Sequence, residues 1–237
     1  MMLASICIAT RNKPSLLQQT LFSITRQRVP FPYEIIVVDD CSPTPETEEI
    51  CTKKFPGVHY IRIDHSSGYR NPSVARNVAY RKASGKVIIA QSDDVVHHTR
   101  DVIERLTTDL RVGDFNIATV YNLAADGSID TGCPVYTGHT YKRPFFFLGS
   151  LWRRDLYAIG GNDEEFIHPG FDDDWFGECL IRGLGLRPNY VTNVVGNHLF
   201  HTRPNVAEAY NKSGELFRSK VAAGVWCASG GPWEYKE

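Results

Sequence analysis

From residue 3 to residue 90, short and almost unbroken apolar runs alternate with segments whose apolar residues recur at helical spacing. A run of five to seven apolar residues suits a strand buried on both faces, which is the environment of a parallel sheet. Residues 3–9, 34–38 and 86–90 come close to this, and residues 58–63 read as a further strand. Between the first two, Pro14 opens a helix reaching about Gln27, with Leu17, Leu21 and Ile24 on one face. A loop at Cys41-Ser42-Pro43 leads to a second helix ending near Lys54. A third starts at Asn71-Pro72-Ser73, carries Val74, Val78 and Ala79, and is closed by Gly85. Strands and helices in this order predict an α/β fold, with a mostly parallel sheet and helices on both faces.

The second half is less regular. Residues 115–122 read as a strand, Asp126-Gly127 as a hairpin turn, and residues 145–148 as an apolar run before a helix at 153–159. Gly160-Gly161 breaks that helix. Asp172-Asp173-Asp174 precedes another, reaching about Arg182 and ended by Gly183 or Gly185. Residues 189–195 form the last expected strand. The tail from Pro204 is mostly polar at first, with Gly230-Gly231-Pro232 as its clearest breaker. The expected organisation is one domain over residues 1–203, with a nucleotide-binding half at 1–95 and an acceptor-side half at 96–203. Residues 204–237 form a C-terminal extension.

The 237 residues carry a net charge of -1, which gives no electrostatic reason to expect nucleic acid as a partner. No run approaches the roughly 18 apolar residues of a membrane span. The N-terminus reads as a first strand, not a signal peptide. Six cysteines are spread widely without a Cys-x-x-Cys pair, which argues against a zinc knuckle or redox motif. A reducing, cytoplasmic compartment is the simpler expectation, with attachment to a membrane periphery as the variant.

Ligands of open α/β sheets bind beyond the carboxyl ends of the strands. Thr10-Arg11-Asn12 follows strand one, Asp39-Asp40 follows strand two, Gln91-Ser92-Asp93-Asp94 follows strand four, and His198 and His201 follow the last strand. Two adjacent carboxylates at Asp93-Asp94 repel each other unless a cation or donors offset them. A hard divalent ion would do so while keeping positions for substrate phosphates. Capping of a helix near Thr99 is the alternative. Asp39 or Asp40 could accept from a ribose or base, or cap the loop before Pro43. No Gly-x-Gly-x-x-Gly follows strand one, which argues against a dinucleotide cofactor. Arg70 and Arg76 form a basic pair, and Arg76, in the first turns of the Pro72 helix, could face a diphosphate or solvent. The macrodipole favours one or two carboxylates in the first turn at Asp172-Asp173-Asp174, but three in a row repel one another. One could be a general base. His198 and His201, three apart, could complete a metal site. His97-His98 read as surface residues at a helix start.

The segments Ser5-Ile6-Cys7-Ile8-Ala9-Thr10-Arg11-Asn12, Ile35-Ile36-Val37-Val38-Asp39-Asp40-Cys41-Ser42, Ala75-Arg76-Asn77 and Ser92-Asp93-Asp94 together resemble glycosyltransferase family 2. The order and spacing match over about residues 3–203. The resemblance implies the GT-A fold, a Rossmann-like mixed central sheet with helices on both faces. It also implies inverting, hexosyltransferase-type transfer from a nucleotide-diphospho-sugar, most often a UDP-sugar, to a glycan or other hydroxyl acceptor.

Carried over by position, Thr10 and Asp40 contact the nucleoside, Asp93 lies near the ribose or sugar, Arg76 near the donor phosphates or sugar, and Asp94 binds Mn2+ or Mg2+; Arg11, Asp39 and Arg70 are expected on the same donor. The stretch from Asp172 to Gly183 is similar to the acidic helix start of β-1,4-galactosyltransferases. There Asp172 takes the base position without gaps, and Asp173 after a shift of one residue. His198 and His201 fall where that family places two metal-binding side chains. The chain departs from the pattern at Gln91 or Ser92, where an acidic residue is usual, and at Phe171, which replaces the acidic residue before the base. Two rivals are a sugar nucleotidyltransferase and a non-catalytic sugar-nucleotide or glycan-binding domain. The first lacks a Gly-rich loop after strand one. Retained carboxylates argue against the second.

Overall fold

The computed structural model describes residues 3–66, 68, 70–202 and 207–236. The first half follows the expected alternation. It comprises β1 (Ala4–Thr10), α1 (Pro14–Thr25), β2 (Tyr33–Asp39), α2 (Glu46–Glu49), β3 (Val58–Arg62), α3 (Ser73–Lys82) and β4 (Val87–Ser92). A π-helical turn at Ile50–Lys54 continues α2. These four strands are parallel, in spatial order β3-β2-β1-β4. Strand alternation explains the two-sided core. Ala4, Ile6 and Ile8 pack with Leu17, Leu21 and Ile24 of α1, all wholly buried. Cys7, Ile36 and Ile88 point the other way, against Ala75 and Ala79 of α3. Truncating such a buried leucine to alanine costs about 2–5 kcal/mol.

The second half contains β5 (Val95–His97), α4 (Val102–Thr108), β6 (Asp114–Asn122), β7 (Val135–Thr137), β8 (Leu148–Trp152), α5 (Arg153–Ala158), α6 (Asp172–Glu178), β9 (Arg187–His198) and α7 (Ala207–Ala223). The sheet continues from β4 as β8-β6-β9-β5, with β7 on β6. β8 is antiparallel to both neighbours, so the sheet is mixed. β9 runs parallel to β6 with a register shift between Ala118 and Thr119. The shift absorbs Thr192, Asn193 and Val194 and carries the strand to His198.

Several sequence expectations change here. The apolar run at 145–148 leads into β8, because Gly149 lets that strand lie flat between β4 and β6; an added Cβ would come within 2.7 Å of the Asn116 carbonyl oxygen. No helix begins directly after Asp93-Asp94. A turn and β5 intervene, so the pair caps nothing. His97 is not a surface residue. It belongs to β5, where its Nε2 lies 2.9 Å from Gln91 Oε1, and burial pushes its pKa down to about 3.

α7 spans 17 residues, held by a Glu208–Lys212 pair four apart and by Tyr210 and Phe217 packing on Phe171. Trp226 stacks near Trp175 at 5.6 Å, and Trp233 lies under Arg81 at 4.0 Å. Both tryptophans therefore dock on the domain itself. Backbone bonds from Ala228 to Ile159 and from Trp233 to Tyr157, each 2.8 Å, stitch the tail to α5. The expected boundary at 203/204 lies outside the described residues. No helix among the described residues is long and apolar enough to cross a membrane.

Candidate functional site

The site forms where β1, β2, β4 and β9 end. After β1 the chain turns through Asn12, whose φ of 53° is left-handed. Asparagine tolerates that region better than most residues. Its backbone N–H donates to Ser42 Oγ at 2.9 Å. The turn sends Arg11 to the Asp40 carbonyl and Lys13 back towards the end of β4. Cys41 (φ 62°) and Phe171 (φ 63°) are the other non-glycine residues with positive φ among the described residues. All three immediately precede or follow a candidate site residue. For bulky side chains this conformation costs of order 1–3 kcal/mol and persists only where surrounding structure enforces it.

Asp39 and Asp40 have different surroundings. Asp39 is wholly buried, accepting from the Ser42 backbone N–H at 2.8 Å and the Tyr60 hydroxyl at 2.9 Å. It lines neither cavity of the site and braces the loop from beneath. Asp40 faces the cleft, accepting from Arg70 Nη2 at 2.6 Å, with His65 Nε2 at 3.2 Å.

At the end of β4, Thr10 Oγ1 donates to Asp93 Oδ2 at 2.8 Å, and Thr20 Oγ1 donates to the Asp93 carbonyl at 2.9 Å. Lys13 Nζ donates to Asp94 Oδ2 at 2.7 Å and to Asp93 Oδ1 at 3.3 Å. His201 Nε2 is 3.2 Å from Asp94 Oδ2, and His198 Nε2 is 3.5 Å from Asp94 Oδ1. Burial by itself would raise the Asp94 pKa. The His201 contact, His198 and Lys13 outweigh it and hold the carboxyl well below the usual range. Burial pushes Asp93 upward instead, against Lys13.

Asp94, His198 and His201 offer donor atoms within 4.8 Å of one another. Two observations test this set for a cation. Asp94 Oδ1 is buried without a hydrogen bond. The two imidazole Nδ1 atoms lie 3.0 Å from Asn122 Oδ1 and 3.2 Å from the Thr202 carbonyl oxygen. Both are acceptors, so each Nδ1 carries a hydrogen, and a ring with no second proton would turn its Nε2 lone pair towards the carboxylate. Lone pairs facing lone pairs call for a proton or a metal cation between them. The residues fit a divalent ion. Gln91, where an acidic residue is usual, is held by His97 and donates to the Val95 carbonyl at 2.8 Å.

Two adjoining cavities share the walls Tyr136, Phe147, Gly170 and Tyr210. The first, about 440 Å³, collects Thr10, Arg11, Asp40, Arg70, Arg76, Asp93, Asp94, His198 and His201. Four cationic side chains, Arg11, Lys13, Arg70 and Arg76, face three carboxylates there. A diphosphate suits that balance. The second, about 590 Å³, is lined by Asp172, Asp173, Asp174, Tyr141, Arg143 and Phe145 among others.

Arg76 connects the two cavities. Its Nη1 donates to Asp173 Oδ1 at 3.0 Å and lies 3.7 Å from Asp172 Oδ2. Asp174 is clasped by two nitrogens of Arg143. Burial raises Asp173 to about 7, against Arg76, with Asp172 and Asp174 adding to the rise. Asp172 is the least engaged of the three, with no hydrogen bond among the described residues.

Sequence reasoning missed Lys13, His65, Arg143, Tyr136 and Tyr210. Only Lys13 carried a signal, as a basic residue directly after the polar end of strand one. The others depend on which loops the fold brings together.

The profile of glycosyl transferase family 2 matches residues 5–160. No curated protein gives a significant match. Among solved structures, the chain is similar to the mannosyltransferase PcManGT from Pyrobaculum calidifontis in complex with GDP-Man and Mn2+. The identity is 16% and the TM-score 0.66, over 93% of this chain and 64% of that one. It is also similar to S. aureus TarS 1-349 in complex with UDP-GlcNAc, with 16% identity and a TM-score of 0.68, over 93% of this chain and 66% of that one. The chain thus spans about two thirds of the length of these neighbours. With the family profile covering most of the sequence and the mixed sheet matching glycosyltransferase structures of the GT-A fold, the chain belongs to glycosyl transferase family 2.

Proposed function

We propose that this chain is an inverting glycosyltransferase that moves a sugar from a nucleotide-diphospho-sugar to a hydroxyl of a glycan or other acceptor. The observation carrying this reading is the pair of adjoining cavities, one rich in cations beside Asp94, His198 and His201, the other floored by Asp172–Asp174. The donor lies in the first, with Thr10, Asp40 and Asp93 on the nucleoside side. Arg11, Arg70 and Arg76 lie towards the phosphates. A divalent ion on Asp94, His198 and His201 supplies Lewis-acid stabilisation of charge on the leaving diphosphate. Two imidazole nitrogens favour Mn2+ over Mg2+ in that set. The acceptor enters the second cavity, where Asp172 takes its hydroxyl proton as the oxygen attacks the anomeric carbon in line. Asp172 is chosen because Arg76 engages Asp173 and Arg143 engages Asp174. One observation favours Asp173 instead: a carboxyl near 7 is well matched to base chemistry at neutral pH.

Calorimetric titration of UDP- and GDP-sugars, with and without Mn2+, tests the donor reading, and release of nucleoside diphosphate tests transfer. Binding is expected to need Mn2+ and to be lost in Asp94→Ala. Activity that survives a chelator would remove the metal. Donor binding without nucleotide release, across an acceptor screen, would leave a binding domain.

A further inference from the structure

The carboxylates of the proposed metal centre already hold a cation that belongs to the chain. Lys13 Nζ lies 2.7 Å from Asp94 Oδ2, the oxygen that also faces His201 Nε2 at 3.2 Å. The contact is built in by the backbone. Left-handed Asn12 precedes Lys13, Pro14 follows it in the first turn of α1, and the Lys13 carbonyl accepts from the Leu17 N–H at 3.0 Å. The base of the side chain is therefore pinned, while four rotatable bonds leave its ammonium mobile. The side chain is 33% exposed and lines the cation-rich cavity.

A divalent ion held by Asp94 would use the carboxylate oxygens that Lys13 and the two histidines now face. An ammonium 2.7 Å from one of those oxygens would repel it at close range. Each cation therefore weakens the other's hold on Asp94. A diphosphate entering the same cavity would bring the anion to which the ammonium can move.

We propose that Lys13 is an internal counter-ion that competes with the divalent ion for Asp94 and transfers to the diphosphate when donor and metal enter. This rests on the metal and donor sites proposed above. It makes metal binding and diphosphate binding mutually reinforcing, since each relieves the charge conflict that the other meets. In the empty site the lysine offsets part of the charge of two buried carboxylates. A lysine suits this task better than an arginine fork, because a point charge on a flexible stem can change partners.

The test is Mn2+ binding to the whole chain without nucleotide, followed by calorimetry and by the electron paramagnetic resonance signal of free Mn2+. Lys13→Met is expected to bind Mn2+ at least about tenfold more tightly than wild type, within the usual range of coupling between sites. Lys13→Arg, which keeps the charge, should stay near wild type. An unchanged or weaker Mn2+ affinity in Lys13→Met, with a wild-type thermal melt, would overturn the competition. At saturating Mn2+, Lys13→Met should bind UDP or GDP, whichever wild type takes, about tenfold more weakly. Equal nucleotide affinity would overturn the transfer. Asp94→Ala in the Lys13→Met background should abolish Mn2+ binding. If neither wild type nor Lys13→Met binds Mn2+, the metal reading itself fails, which is distinguishable from failure of the lysine's role alone.

Discussion

Asp93-Asp94 and Asp172-Asp173-Asp174 are both acidic clusters beside a cavity, yet their surroundings tune them in opposite directions. Asp94 meets one ammonium and two imidazoles, and its carboxyl is held far below the ordinary range although it is buried. Asp173 meets one guanidinium, but two further carboxylates flank it, and burial raises it to about 7. The difference is the ratio of cations to carboxylates in each neighbourhood, not depth alone. A permanently ionised carboxylate suits a cation site. One that can hold a proton suits proton transfer.

The sharpest way to break this contrast is Asp172→Asn. It should lower turnover by about 10²–10⁴-fold while donor binding persists, read by nucleotide release and calorimetry. A larger loss in Asp173→Asn than in Asp172→Asn would reverse the assignment within the acidic helix. On the other cluster, His198→Ala and His201→Ala should each weaken Mn2+ at least about tenfold. Asn122 reaches the metal set through the His198 ring, and Asn122→Ala should weaken Mn2+ less than His198→Ala does. Equal losses would mean that Asn122 does more than orient the ring.

The smallest effect concerns stability against pH. The folded-state carboxyl of Asp173, near 7, lies above its ordinary value of 3.8, so the folded state binds the proton more tightly than the unfolded chain. Its stabilising share is therefore complete below about pH 3.8 and is lost as pH rises towards 7. Melting temperature measured across that window should fall less in Asp173→Asn than in wild type. Parallel curves would show that Asp173 titrates alike in both states.

Much of the fold and site was legible in the sequence because buried parallel strands leave unbroken apolar runs, and the polar residues after those runs must gather on one sheet edge. Thr10, Asp40, Asp93, Asp94, His198 and His201 were found that way and line one cavity. Asp39 shows the limit of the method. Adjacent residues at a strand end point to opposite sides, and the sequence does not say which of two aspartates is covered. β8 was hidden because a short apolar run before a helix has no period of its own. α7 was hidden because half of its apolar residues are alanines and its partners, Phe171 and Trp175, lie more than thirty residues upstream. Lys13 was visible as a charge, but its partner was not, since 80 residues separate it from Asp93.

The stitching of the tail has a consequence in time as well as in space. Synthesis delivers β1–β4 first, and their parallel pairing needs nothing beyond Ser92. The acidic helix emerges next but stays uncovered on the side where Phe217 and Trp226 belong until those residues have left the ribosome. A growing chain can thus shape the floor of the first cavity well before the wall carrying Asp172 is fastened down. α7 and Trp226, which follow the acidic helix in sequence, thus brace one wall of the second cavity.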